Sequence, residues 1–149
     1  LGGAEDELGF RVEEDVPSIL VTVALPGGDA RRAHLLHPAP PSTTENPESA
    51  ERDAELLLVA RRVENERRPV VVTGDLNDVA WSPTTRLFRK ISGLLDPRVG
   101  RGMFNTFHAG IVLALWPLDH IFHSKHFRLR DVRSLPQIRS DHFPLLFRL

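Results

Sequence analysis

Residues 70–77, VVVTGDLN, decide the fold: four β-branched residues run directly into Gly74-Asp75-Leu76-Asn77. A short, continuous apolar run of this kind is typical of a strand buried on both faces, as in the sheet of a layered α/β protein. Ligands of such proteins gather at the carboxyl ends of the strands. Asp75 and Asn77 therefore occupy a favourable place for a functional site, although a plain Asp/Asn/Gly turn is the favoured explanation when these residues are taken alone.

Strands and helices are predicted on both sides of this run. A β-branched segment at 18–25 and a returning strand at 32–37 predict a β-hairpin. Apolar residues at helical spacing predict helices over 48–66 and from Pro83 to about Gly93. Further strands are expected at 8–13, 117–124, 127–132 and 143–149. This order predicts one α/β unit with mixed strand directions, with residues 1–149 forming a single domain.

The composition excludes several classes of protein. The chain is 41% hydrophobic and 26% charged, which is typical of a folded globular domain and not of a disordered one. It contains no cysteine, so disulfides, thiolate zinc sites and redox-active thiols are excluded. Its apolar runs are all shorter than the ~18 residues of a transmembrane helix, so we expect no membrane insertion by this segment. A chain without cysteine fits an oxidising or a reducing compartment, so the composition does not indicate where the protein resides.

Charge is divided unevenly along the chain. Residues 1–85 carry 8 Arg and 16 acidic residues, whereas residues 86–149 carry 11 basic and 4 acidic residues. Arginine prefers planar, bidentate partners such as phosphate and carboxylate, so the basic half indicates an anionic ligand. Solvated faces of unequal charge explain the same numbers equally well.

Two further segments place an acid and a histidine near strand ends. Asp119 lies inside the apolar run 117–122, where a lone buried carboxylate would be costly without a partner. Asp141 and His142 lie just ahead of the last predicted strand. If the two strands are adjacent, Asp119 can hold the His142 imidazole in one tautomer and make it a general base. The alternative is an Asp and a His that satisfy backbone groups at strand ends.

Other histidines and the tryptophans carry weaker signals. His37, at the end of the hairpin, could donate to a phosphate oxygen or be an ordinary loop residue. Trp81 and Trp116 could wall a pocket or simply cover the core. The series His120, His123 and His126 does not predict zinc, because a three-residue period matches neither a strand face nor a helix face.

Five short motifs occur in a characteristic order and together resemble the endonuclease/exonuclease/phosphatase superfamily, which includes DNase I and the abasic-site endonucleases. They are His37 before a Pro-rich loop, Gly74-Asp75-Leu76-Asn77, Asn105-Thr106-Phe107, Leu118-Asp119-His120-Ile121-Phe122 and Ser140-Asp141-His142-Phe143-Pro144. The match covers roughly residues 37–149. The sequences of residues 75–83 and 117–120 are most similar to a bacterial branch of this superfamily, in which the domain often follows N-terminal membrane helices.

The resemblance implies a DNase I-like α/β sandwich, four-layered in the complete family domain, and metal-dependent phosphoester hydrolysis of the phosphodiesterase or nuclease type. His142 would activate water and Asp119 would orient it. Asp75 and Asn77 would position the water and the scissile phosphate, and His37 would stabilise charge on the phosphate oxygens.

The same resemblance implies a divalent metal and a set of binding residues. Magnesium or manganese would neutralise developing negative charge, with Asp141 and Asp75 at the metal. Asn105, Thr106 and Trp81 are the candidate substrate-binding residues. The substrate would be a nucleic acid, a phospholipid headgroup or a small phosphodiester.

One departure from the family pattern changes these expectations. The first half of the family domain, with an early Asn and a metal-ligating Glu, is not matched, and none of Glu5, Glu7, Glu13 and Glu14 has the expected context. We therefore expect the C-terminal part of such a domain, with weak metal binding, little activity by itself and self-association through an uncovered sheet face. A degenerate, non-catalytic module that serves as a binding or assembly surface is the alternative.

Overall fold

The computed structural model describes residues 5–9, 18–24, 30–38, 47–107 and 116–149. The predicted hairpin and both predicted helices are confirmed within one to three residues at their ends. The turn at 25–29, the Pro-rich loop at 39–46 and residues 10–17 and 108–115 lie outside the described residues. The elements are β1 (Glu5–Gly9), β2 (Ser18–Ala24), β3 (Ala30–Leu35), α1 (Pro47–Glu64), β4 (Val70–Asp75), α2 (Pro83–Ser92), β5 (Asp119–His123), β6 (Asp131–Ser134) and β7 (Leu145–Arg148).

Five of these strands form one mixed sheet in the order β1-β2-β3-β4-β5. Strand β4 runs parallel to β3 and antiparallel to β5, so the expectation of an α/β fold with mixed strand directions is confirmed. In the β4–β5 register, Val72 lies opposite Phe122 and Asp75 lies opposite Asp119. This pairing places two of the predicted site carboxylates at the same end of the sheet.

The last two strands lie apart from this sheet. Strands β6 and β7 pair with each other as an antiparallel ribbon. The described part of the chain therefore has two sheets, and the four-layer arrangement of the complete family domain stays a prediction. Among the helices within the described ranges, neither is both long and apolar enough to span a bilayer.

The core lies between the two helices and one face of β4. The Phe88 ring of α2 packs on the Phe122 ring of β5, with 5.0 Å between their centroids. The expectation that β4 is buried on both faces is met on one face only, because Val71 and Thr73 are half-buried. Near Thr73 the other face of the sheet borders a cavity of about 240 Å³. The buried core consists of Leu36, Leu56, Val59, Ala60, Val63, Val70, Val72, Leu76, Phe88, Leu94 and Phe122.

Gly74 allows two backbone segments to approach closely at the end of β4. Its φ is +144°, and a Cβ added there would lie 1.9 Å from the Leu36 carbonyl oxygen. The Leu36 amide donates to the Thr73 carbonyl at 2.9 Å, which continues the pairing of the two segments past the end of β3. This contact brings His37 next to the carboxyl end of β4.

A buried polar network ties β5 to the loops on either side. The His120 ring is only 2% exposed. Its Nδ1 lies 2.7 Å from Arg98 Nη2 and its Nε2 lies 2.8 Å from the Asp78 carbonyl oxygen. Because a guanidinium can only donate, Nδ1 accepts and Nε2–H donates, so the ring is held neutral in one tautomer. Asp96 binds Arg98 through both carboxylate oxygens at 3.0 Å and neutralises it.

We expect Gly74→Ala to destabilise the fold severely, because the new methyl group would overlap the Leu36 carbonyl and the residue would keep a strained φ. Strain at such positions costs about 1–3 kcal/mol before any clash is added. Denaturant unfolding gives the loss of free energy. Gly93→Ala is the matched control: Gly93 also has positive φ (+66°) but nothing lies within 4 Å of an added Cβ. Equal losses in the two variants would contradict the close-approach explanation.

We expect His120 to make the fold sensitive to acid. Burial, followed by the neighbouring Arg98 charge, lowers the pKa of His120 from 6.5 to about 4. Between about pH 6.5 and pH 4, His120 is therefore protonated in the unfolded chain but neutral in the folded chain. The free energy of unfolding falls as the pH drops through this range, by about 3 kcal/mol in total. His120→Gln should be less stable at pH 7 but should flatten this part of the stability–pH curve. An unchanged slope in the variant would show that another group is responsible.

Candidate active site

The carboxyl end of β4 closes in a tight polar turn. The Asn77 amide donates to Asp75 Oδ1 at 2.8 Å, and Asn77 has a φ of +48°. Asn77 is therefore not part of an extended segment, so the two-residue spacing does not place Asp75 and Asn77 on one face of a strand. Asn is one of the few residues that adopts this left-handed conformation readily, since its short polar side chain can bond locally.

Three contacts from other parts of the chain hold this turn. The Asn77 side-chain amide donates to the Pro38 carbonyl at 2.9 Å, which binds the turn to the segment carrying His37. Arg52 of α1 donates to the Asn77 carbonyl at 2.7 Å. The buried Asp78 carboxylate accepts from the hydroxyls of Ser82 and Thr85 at the start of α2. The position of Asp75 is thus determined by a helix start, a second helix and a neighbouring loop.

The structure joins His142 to Asp119 directly. His142 Nδ1 lies 2.6 Å from Asp119 Oδ2, the distance of a short charge-assisted hydrogen bond. An ionised carboxylate can only accept, so Nδ1–H donates and Nε2 of the neutral ring carries the free lone pair. This is the tautomer that a general base requires.

The route by which the pair forms differs from the predicted one. His142 lies before β7, and β7 pairs with β6 and not with β5. The expectation that adjacent strands bring Asp119 and His142 together is therefore wrong. His142 instead forms a single antiparallel bridge with Phe107, and the two rings lie 4.9 Å apart at their centroids.

Thr106 connects both members of the pair. Its hydroxyl accepts from the Asp119 amide at 3.1 Å and its carbonyl accepts from the Phe143 amide at 2.7 Å. Its own amide donates to the Trp116 carbonyl at 3.0 Å. Thr106 is fully buried, so these contacts make it a positioning residue, and the predicted substrate contact of Thr106 stays a prediction.

Asp75 faces the free side of the His142 ring. Asp75 Oδ2 lies 3.7 Å from His142 Nε2, too far for a direct hydrogen bond. Burial raises the pKa of Asp75, the Asn77 amide opposes this, and the Asp119 charge raises the pKa further. His142 and His37 both lower the pKa of Asp75, so His37, although exposed, lies within electrostatic reach of the site.

The remaining predicted residues are Asp141, Asn105 and Trp81. Asp141 is exposed, and its carboxylate lies 3.5 Å from the Ser140 hydroxyl. Asn105 is half-buried beside Thr106. Trp81 is 43% exposed and its ring lies 6.3 Å from that of Trp116. Roles for Asp141 at a metal and for Asn105 and Trp81 at a substrate stay predictions.

The donor atoms suit a hard cation only in part. Asp75 and Asp119 supply carboxylate oxygens, the ligands that Mg²⁺ prefers, and they sit opposite each other across β4 and β5. Over the described ranges, however, no three His, Asp or Glu side chains are arranged to hold a metal ion. Both ring nitrogens of His120 are engaged, Nδ1 by Arg98 and Nε2 by the Asp78 carbonyl, so neither offers a free lone pair to a metal ion.

Two contributors to the site carry no clear signal in the sequence. Arg52 was predicted only as part of a helix, and nothing in the helical periodicity points to its bond with the Asn77 carbonyl. The Arg98–His120 contact joins residues 22 positions apart, and only folding brings them together. Gly74 is different: a glycine between a buried strand and an Asp is a visible signal of close backbone approach.

Several solved structures share this fold. A mannosyl-6-phosphatase of Bacteroides thetaiotaomicron is 18% identical with a TM-score of 0.65, over 96% of this chain and 64% of that one. An endonuclease/exonuclease/phosphatase of Beutenbergia cavernae is 20% identical with a TM-score of 0.70, over 99% and 44%. The catalytic domain of human Nocturnin, solved with a sulfate anion, is 18% identical with a TM-score of 0.64, over 99% and 59%.

This chain therefore spans about 44–64% of the length of these structures. A search of curated proteins found no significant match. The sequence model described as the endonuclease/exonuclease/phosphatase family matches residues 4–142, nearly the whole chain. With that match, the shared fold and the arrangement of the five motifs, this chain belongs to the endonuclease/exonuclease/phosphatase family.

Proposed function

We propose that this chain contributes the general base of a phosphoester hydrolase. In this proposal His142 activates water and Asp119 orients His142. The 2.6 Å hydrogen bond between His142 Nδ1 and Asp119 Oδ2 carries the proposal. The bond fixes the ring orientation and stabilises the imidazolium that forms when Nε2 takes a proton. The membership of the family supports a phosphoester as the substrate class.

The gap between His142 and Asp75 suits one water molecule. His142 Nε2 and Asp75 Oδ2 are both acceptors and lie 3.7 Å apart, so one water can donate to each. Such a water would have its oxygen lone pair free to attack phosphorus while Nε2 removes its proton. The general acid–base contribution of a positioned histidine is about 100- to 10,000-fold in rate.

Two other residues would act on the phosphate. Asn77 is held beside Asp75 by the turn, and His37 is held beside it by the Gly74 close approach. His37 would donate a hydrogen bond to the phosphate oxygens, where negative charge develops in the transition state. Trp81 and Asn105 would contact the remainder of the substrate.

Magnesium or manganese is proposed as the cofactor. When bound, the ion would neutralise charge on the phosphate and orient it. Asp75 is the best-placed ligand, and the raised pKa of its carboxyl is what a nearby cation would reverse. Asp141 is the second proposed ligand.

Several finer expectations stay proposals. They are the position of the chain as the C-terminal part of a larger domain, the bacterial membrane-associated branch and the choice among nucleic acid, phospholipid headgroup and small phosphodiester. Self-association is supported by one feature: Ile19, Val23 and Leu35 on β2 and β3 are 37–42% exposed. Ile19 and Leu35 are register partners, so these apolar side chains lie together.

We expect His142→Ala and Asp119→Asn to abolish most of the hydrolysis of bis(p-nitrophenyl) phosphate with Mg²⁺ or Mn²⁺. His142→Ala should cost about 100- to 10,000-fold in rate, and EDTA should stop the wild-type reaction. The assay uses the full-length protein that contains these residues, and the 149-residue chain in parallel. The activity of the parallel sample tests the expectation of weak activity by itself.

His126→Ala is the matched control, because His126 is exposed and bonds only to the Ser124 hydroxyl among the described residues. If the His142→Ala protein retains wild-type activity, the general-base role is excluded. If the wild-type protein hydrolyses none of a panel of phosphodiesters, the alternative of a non-catalytic module is the better description.

We expect Asp75→Asn to stabilise the fold while removing activity. Because burial raises the pKa of Asp75, the folded chain holds its proton to a higher pH than the unfolded chain, and ionised Asp75 costs stability above that range. The variant should therefore have a higher Tm than wild type at pH 7, and the gain should shrink as the pH falls towards about 4 and vanish below it, where Asp75 is protonated in both the folded and the unfolded chain. Asp131→Asn, at an exposed ion pair, is the control. A lower Tm for Asp75→Asn at pH 7 would contradict the burial cost.

A further inference from the structure

A second concave surface lies on α2 and the loop that follows it. This cleft has a volume of about 390 Å³ and is lined by Trp81, Arg89, Val99, Arg101 and Met103, among others. None of its lining residues belongs to the 240 Å³ cavity beside Asp119 and His142. A volume of 300–1,000 Å³ is typical of small-molecule sites. We call this surface the Trp81 cleft.

Three large apolar side chains of the cleft are open to solvent. Trp81, Val99 and Met103 are 43%, 58% and 48% exposed. Single exposed apolar residues are ordinary, but three around one concavity form a patch that a ligand can cover. The Trp81 indole offers a flat face on which an aromatic ring can stack.

Two arginines give the cleft a net positive charge. Over the described part of the chain, neither Arg89 nor Arg101 forms an ion pair with a carboxylate, and Arg101 bonds only to the carbonyls of Pro97 and Val99. The Arg89 Nε is buried and has no hydrogen-bond partner among the described residues, so no carboxylate or carbonyl compensates the charge of Arg89 at that atom. Arg98 adds no charge, because Asp96 neutralises it.

The walls of the cleft are held in place before any ligand binds. The Asp96–Arg98 ion pair and the bond from the Arg101 amide to the Arg98 carbonyl (2.9 Å) close the loop into a turn. The Arg86 guanidinium donates to the Trp81 carbonyl and fixes the backbone at the opposite wall. A preorganised site loses little conformational entropy on binding.

We propose that the Trp81 cleft binds a small ligand in which an aromatic ring carries an anionic group. The ring would stack on Trp81 between Val99 and Met103, and the anion would accept from Arg89 and Arg101. Guanidinium groups pair with phosphate, sulfonate and carboxylate in this bidentate manner. The cleft shares only Trp81 with the residues proposed above to bind the substrate, and it shares no lining residue with the cavity beside His142, so the inference does not depend on the proposed hydrolysis.

Fluorescence of the full chain tests this proposal directly. The chain has two Trp and no Tyr, so its intrinsic emission comes from Trp81 and Trp116 alone. The probe is 8-anilinonaphthalene-1-sulfonate, an aromatic anion whose sulfonate a phosphoesterase cannot hydrolyse. We expect saturable quenching of the tryptophan emission at one site, and weaker binding of the uncharged analogue N-phenyl-1-naphthylamine.

Matched variants separate the charge from the ring. Arg89→Gln should weaken sulfonate binding about tenfold, the equivalent of one charged hydrogen bond. Lys90→Gln removes the same charge from the next residue of α2, which does not line the cleft, and should leave the affinity within about twofold. Trp81→Ala should weaken binding about three- to tenfold. His142→Ala should leave it unchanged.

Three outcomes would overturn the proposal. Equal affinity for the charged and uncharged probes would reduce the cleft to a plain apolar patch. Equal losses of sulfonate affinity in Arg89→Gln and Lys90→Gln would show that the affinity depends on the net charge of the protein and not on Arg89 in the cleft. Binding that disappears as the protein is diluted into the monomer range would make the cleft a contact between copies of the chain. Circular dichroism of each variant shows whether it is folded.

Discussion

The antiparallel pairing of β4 with β5 is the contact on which the remaining architecture depends. It places Phe122 opposite Val72 in the core and, three pairs further on, Asp119 opposite Asp75 at the open end of the sheet. The two segments are more than 40 residues apart, so the pairing carries a large loop-closure cost that only the buried core can offset. The same strand pairing thus contributes apolar residues to the core and the two carboxylates to the end of the sheet.

Hydrogen bonds and one close backbone approach position the groups proposed to react. Thr106 accepts from Asp119 and also from Phe143, so one buried residue sets the separation of the strand and the His142 segment. Gly74 lets β4 approach the Leu36 carbonyl and brings His37 to the same edge.

Stability and function oppose each other at this edge of the sheet. Asp75 is held in a partly buried place beside the Asp119 charge, where its ionised form is unfavourable. Asp96 and Arg98, by contrast, neutralise each other, and His120 stays uncharged between Arg98 and Asp78. Asp75 lacks comparable compensation, and groups with such shifted pKa values occur preferentially at functional sites.

The sequence by itself determined the helices, the hairpin and the strand at 70–75, because periodicity, β-branched runs and Pro and Gly signals act locally. It also identified Asp75, Asp119 and His142 through short motifs in order. It could not determine that a left-handed turn orients Asn77, that Phe107 and Thr106 carry His142 to Asp119, or that Arg98 holds His120. The contacts of Thr106 with Asp119, of Arg98 with His120 and of Asp119 with His142 join residues 13 to 23 positions apart, and only the tertiary structure decides them, since hydrogen-bond geometry between distant segments depends on how the sheets and loops pack.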